Sequence, residues 1–208
     1  MNKNTTRILG FWAAIIAIVV IFIYATLQLL TDLRLISGVR ESIFLFLPPL
    51  FLAPIYLLMV LCLHYSVEIE NKIWSALGLI FASLYCGQII MLYILQFALP
   101  FKGIEQGHSL LYNGFLNPYD FLVTVDVLTY FFTSLSALFL AIALKDNVWV
   151  YRSLLWLGIL VPIVLFSLIY PLVYFAGVFW IVSFTIAMLQ IAFFFRIVKK
   201  KSNQNIGV

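Results

Sequence analysis

Charge is what this sequence has least of. Only 10% of its 208 residues are Asp, Glu, Lys or Arg, against 65% hydrophobic residues, and its mean hydropathy is +1.13. Soluble domains carry about 25% charged residues. A water-soluble globule could not hide this much apolar surface, and a disordered chain would not contain it. Two cysteines and two histidines are equally sparse. Cys62 and Cys86 fall at different depths along their helical runs, beyond disulfide reach. His64 and Glu68 are spaced i,i+4, but two ligands lack the third that a zinc site needs. No phosphate-binding glycine loop, dinucleotide fingerprint, zincin helix or nucleophile elbow is present. Neither a metal nor a cofactor is expected. The +4 net charge reads as a topology signal, and no nucleic-acid partner is expected.

Apolar runs are what the chain has in abundance. A helix of about 20 residues spans the roughly 30 Å hydrocarbon core, and six runs qualify: 8–30, 43–63, 73–99, 121–144, 153–171 and 175–195. The last two share an uncharged stretch, 153–195, which as one helix would measure about 64 Å. Pro171 and Gly177 place a hairpin turn in its middle. None of the runs alternates as the strands of a barrel do. The sequence predicts a single all-α domain, a polytopic six-transmembrane-helix bundle with no soluble domain. The first run is too long for a signal-peptide core and no cleavage site follows Leu30, so it is expected to be a retained span.

The basic residues orient this bundle. With both termini cytoplasmic, the inner segments hold Lys3, Arg7, Lys72, Lys145, Arg152, Arg196, Lys199, Lys200 and Lys201, and the outer ones only Arg34, Arg40 and Lys102. Nine against three is a positive-inside bias. The C-terminal cluster is expected to sit against anionic lipid as a tail. Trp12, Trp74 and Trp149 fall near inner boundaries, as an interfacial belt requires. The longest connection, 100–119, lies outside and carries Leu110, Leu111 and Tyr112, so a short surface helix is expected over 104–112. Asn117, Pro118 and Asp120 then make a helix start, with Asn as cap, Pro first and the carboxylate facing free amides. That capping role accounts for Asp120, which stays a secondary site candidate.

Of the twenty Asp, Glu, Lys and Arg residues, only Asp126 lies clearly inside a predicted span. A carboxylate in hydrocarbon costs up to about 2.5–3.5 kcal/mol on insertion scales, so it must face protein or water. By the helical rise Asp126 falls about 9 Å outward of its midpoint, and Tyr24, Pro48, Pro49 and Tyr93 fall roughly 7–10 Å outward of theirs. Thr129 and Tyr130 follow one turn later, and Thr129, Thr133 and Ser136 form a polar stripe at helical spacing. Gln88 lies near mid-membrane, with Gln28 and Gln96 nearer the outer surface. The prolines of the second run, Pro48, Pro49 and Pro54, remove amide donors and predict a broken helix, tolerated only where it is buried or lines a cavity. Two readings follow. Asp126, Gln88, Tyr93, Tyr24, Thr129, Tyr130, Gln96 and Asp120 line an outward-leaning pocket, or Asp126 serves helix packing alone. Gly78/Ala82 and Ser83/Gly87, both small-xxx-small pairs, favour close helix approach.

The series Tyr85, Cys86, Gly87 and Gln88, then Asn117 and Pro118, then Asp126, Val127, Leu128, Thr129, Tyr130, Phe131 and Phe132 resembles a pattern in small multi-pass membrane proteins of bacteria and archaea that have no established activity. It covers the third and fourth runs, and the resemblance implies a prokaryotic inner-membrane location. Three functional classes fit the residues: a small carrier or transporter subunit binding a small molecule, a membrane-embedded enzyme on a lipid or isoprenoid, and a non-catalytic assembly partner. For the enzyme, Asp120 and Tyr93 are the evident partners of Asp126.

Overall fold

In a computed structural model of the chain, residues 2–36, 39–106, 121–167 and 173–204 are described. They form six α-helices and no strand: α1 (Lys3–Asp32), α2 (Val39–Ser66), α3 (Lys72–Gln106), α4 (Phe121–Ala143), α5 (Val148–Ser167) and α6 (Val173–Gln204). A single 3-10 turn, Ile69–Asn71, joins α2 to α3. Five stretches are long and apolar enough to cross a membrane: Lys3–Thr31, Leu47–Ser66, Ile69–Ile94, Val125–Ala143 and Gly177–Ile197. The apolar part described in α5, Val148–Ile163, is shorter.

Each helix packs on its neighbours in sequence, and α6 returns to pack on α1, so the bundle closes as a ring. Its outside is unmistakably apolar. Trp149 and Trp156 are 69% and 67% exposed, and Phe22, Phe51 and Phe179 also stand outward. Contiguous apolar surface of this extent is untenable in water and is what a lipid-facing surface presents.

Helix ends account for where the elements depart from the apolar runs. Asn2 caps α1, its side chain accepting from Asn4 N at 3.0 Å. Asn147 does the same for α5, accepting from Val150 N at 3.3 Å, so α5 begins five residues before the apolar run that starts at Ser153. The charge-free run marks only the part of that helix able to sit in hydrocarbon. Gly177 lies inside α6, not in the turn, and Pro171 falls outside the described residues. α6 also runs on through Lys199, Lys200 and Lys201 to Gln204, so the basic cluster belongs to a helix and not to a tail. Residues 104–106 continue α3 and begin no separate surface helix, while the rest of that segment, including Asn117, Pro118 and Asp120, lies outside the described residues. α2 is continuous through Pro48, Pro49 and Pro54, which corrects the expected break. Proline costs a helix its own amide bond and a clash with the preceding turn, and at these positions the fold absorbs both.

Close approach is set by glycine at specific crossings. A Cβ on Gly158 of α5 would come within 2.9 Å of Leu138 Cβ and 3.0 Å of its Cα, and one on Gly78 of α3 within 3.2 Å of Ser136 O. Gly78 and Ala82 are buried at the α3–α4 contact, as expected. Ser83 and Gly87 are not: both are exposed, Ser83 Oγ donates to Leu79 O of its own helix, and nothing lies near Gly87. That pair faces away from the bundle.

α1 ends in a Schellman turn. Arg34 N donates to Thr31 O and Leu35 N to Leu30 O, with Arg34 at φ 56° in the left-handed position that glycine favours. Arg34→Gly should therefore raise unfolding stability in detergent by about 1 kcal/mol. Gly158→Ala should lower it by about 1–3 kcal/mol, because backbone of α4 cannot yield to the new methyl. Gly87→Ala should instead stabilise by about 0.5–1 kcal/mol, the ordinary gain of alanine in an open helix position.

Candidate functional site

Tyrosine belongs at membrane interfaces, where its hydroxyl meets water. In this bundle five tyrosines sit inside instead, each obliged to find a polar partner. Tyr93 of α3 is buried and its hydroxyl donates to Asp126 Oδ1 of α4 at 3.5 Å, a long bond. Tyr130, one turn beyond Asp126, is hydrogen-bonded to Tyr24 of α1. Tyr85, Tyr93 and Tyr130 are each within electrostatic range of both the Asp126 carboxylate and Tyr24. Asp126 itself is half-buried. The acid and its tyrosines therefore come from three helices, α1, α3 and α4.

A chain of aromatic contacts carries this cluster across the ring. The Tyr85 ring meets Tyr56 of α2 edge-on at 5.6 Å, and Tyr56 meets Phe184 of α6 at 5.8 Å. Phe184 stacks on Trp180 at 4.8 Å, whose ring in turn meets Tyr130 edge-on at 5.0 Å. These geometries are the ones ring quadrupoles favour. Beneath them, Tyr56 OH donates to Ser136 Oγ at 3.1 Å, and Ser136 Oγ to Gly78 O at 2.8 Å. Two hydroxyls thus pin α2, α4 and α3 together at the glycine crossing.

The polar stripe of α4 faces this interior. Thr129, Thr133 and Ser136 are buried, with Thr129 Oγ1 donating to Asp126 O at 2.6 Å and Thr133 Oγ1 to Thr129 O at 2.9 Å. Of the expected pocket residues, Asp126, Tyr93, Tyr24, Thr129 and Tyr130 come together. Gln88 is half-buried on α3 with its Oε1 unpartnered and makes no bond to Asp126. The side chain of Gln96 and the whole of Asp120 lie outside the described residues. Tyr85, Tyr56 and Trp180 were not anticipated. Their signal was position: an indole or phenol deep in an apolar run must be held by protein, and Trp180 Nε1 is buried with no partner among the described residues.

The remaining titratable groups stand elsewhere. His64 lies within α2, not in a loop, and its Nδ1 is 2.9 Å from Ser75 Oγ of α3. Ser75 Oγ also donates to Lys72 O at 3.0 Å, and Lys72 Nζ donates to His64 O. This is a clasp between α2 and α3. Cys62 and Cys86 are buried free thiols. Among the described residues no three His, Cys, Asp or Glu side chains gather as a metal site would require.

Comparison of the chain with protein-family models, curated proteins and solved structures finds no match. Tyr56→Phe should leave the bundle folded but lower its unfolding stability by about 0.6 kcal/mol, the average for an interhelical hydrogen bond in a membrane protein. Steric-trap or denaturant unfolding in micelles measures it.

Proposed function

We propose that the protein is a small carrier, or a subunit of one, with six membrane spans and both termini cytoplasmic, and that its binding pocket leans outward around Asp126. The supporting observation is that Tyr93 of α3 donates to Asp126 of α4, with Tyr130 hydrogen-bonded to Tyr24 of α1 beside them, so that three helices meet around the acid. A carboxylate beside several phenols suits a small cationic or hydroxyl-bearing solute, since an acid supplies charge and aromatic faces attract cations. The excess of basic residues on the termini-bearing side supports the orientation. The plasma membrane of a prokaryote is the location the resemblance implies, and it belongs to this proposal.

Thiol accessibility tests it. In a Cys62→Ala/Cys86→Ala background, Tyr24→Cys and Asp126→Cys should each react in intact cells with a charged, membrane-impermeant thiol reagent applied from outside. Reaction only with a lipid-soluble reagent would mean a site open sideways to the bilayer and would favour an enzyme on a lipid substrate. No reaction at either position in folded protein would leave the tyrosines as packing contacts and overturn the carrier.

A further inference from the structure

A second site stands at the opposite end of the bundle. Where the start of α1 meets the end of α6, a groove of about 680 Å³ opens, within the roughly 300–1,000 Å³ of small-molecule sites. Two guanidinium groups line it, Arg7 from α1 and Arg196 from α6, and no acidic residue does. Arg7 Nη2 donates to Asn4 Oδ1 at 2.7 Å. That neutral partner orients the fork and leaves its charge uncompensated. Arg7 is half-buried and Arg196 exposed. The walls are apolar: Phe195, whose ring occupies the notch at Gly10, and Phe11, which meets Trp12 edge-on at 5.5 Å. Trp12 is itself 56% exposed, an amphipathic ring at the depth where headgroups begin.

We propose that this groove binds the phosphate of an anionic phospholipid, with the lipid's acyl chains lying along the Ile8–Trp12 face of α1. Charge complementarity selects the occupant. Two guanidiniums from adjacent helices, with no acidic partner among the described residues, suit the bidentate binding of a phosphate, and the inward-facing leaflet of the proposed orientation is the anionic one. An apolar wall running from the arginines into the bilayer gives a lipid a bed that a soluble anion would not use. The Asp126 cluster takes no part, and the inference rests on the proposed function for the orientation alone.

Native mass spectrometry of the full-length protein in detergent tests the proposal, with phosphatidylglycerol and phosphatidylcholine of matched chains added in equal amounts. Each basic residue that meets the headgroup contributes roughly fivefold in affinity for anionic lipid. Wild type should retain phosphatidylglycerol preferentially. Arg7→Gln/Arg196→Gln should weaken that preference by about twenty-five-fold, the product of two such residues. The triple variant Lys199→Gln/Lys200→Gln/Lys201→Gln should keep it. A preference lost in the lysine variant and kept in the arginine variant would overturn the groove in favour of diffuse attraction by the end of α6. Displacement by an equal concentration of glycerol 3-phosphate would overturn the lipid as ligand. A readout on otherwise wild-type protein needs no arginine change. Bromine-labelled phosphatidylglycerol should quench tryptophan emission more than bromine-labelled phosphatidylcholine, and the difference should vanish in Trp12→Phe. Equal quenching by both lipids in wild type would refute the proposal.

Discussion

Hydrocarbon offers no hydrogen bonds, so the polar atoms inside this bundle depend on protein for their partners. That constraint decides how the helices meet. Lipid is as apolar as leucine, and burial alone gives helices little reason to associate. The contacts form instead where hydroxyls and carbonyls need one another. Tyr56, Ser136 and the Gly78 carbonyl lock three helices. Tyr93 answers Asp126, and His64 with Ser75 clasps α2 to α3. The threonines of α4 turn back on their own helix and need no partner across it.

Steric fit works at the same places. Gly78 and Gly158 let backbones approach where a side chain would hold them apart. At Gly78 the absence of a side chain is also what exposes the carbonyl that Ser136 uses, so packing and hydrogen bonding are one feature there. Gly87 shows the contrast. It has the same residue type and a small neighbour at the right spacing, yet it faces outward and organises nothing.

Much of this was legible in the amino acids. Apolar length predicted an all-helical membrane bundle, and the single intramembrane acid pointed to Asp126 and, by depth, to Tyr24 and Tyr93. Depth arithmetic worked because rise per residue is nearly constant in a helix. Azimuth was less accessible. Whether Ser83 and Gly87 face a neighbour, or whether Tyr85 and Trp180 turn inward, depends on rotation about each helix axis, and in a run apolar on every side no amphipathic pattern fixes that rotation. Helix ends were misjudged at α5 and α6 for a related reason. Hydropathy reports where lipid stops, whereas Asn147 and the run to Gln204 show where hydrogen bonding stops. The prolines of α2 carry a local cost that predicts a break, and the helix runs through all three.

The closure of α6 onto α1 has a consequence for how the protein is made. Helices enter the bilayer in the order of synthesis, and Phe195 of α6 fills the notch at Gly10 of α1. Throughout translation of the intervening chain that notch stays open to lipid, and the ring is a crescent with two free edges. Among the described helices α6 joins them. Docking of α6 on α1 thus cannot precede synthesis of α6, and without α6 the notch at Gly10 goes unfilled.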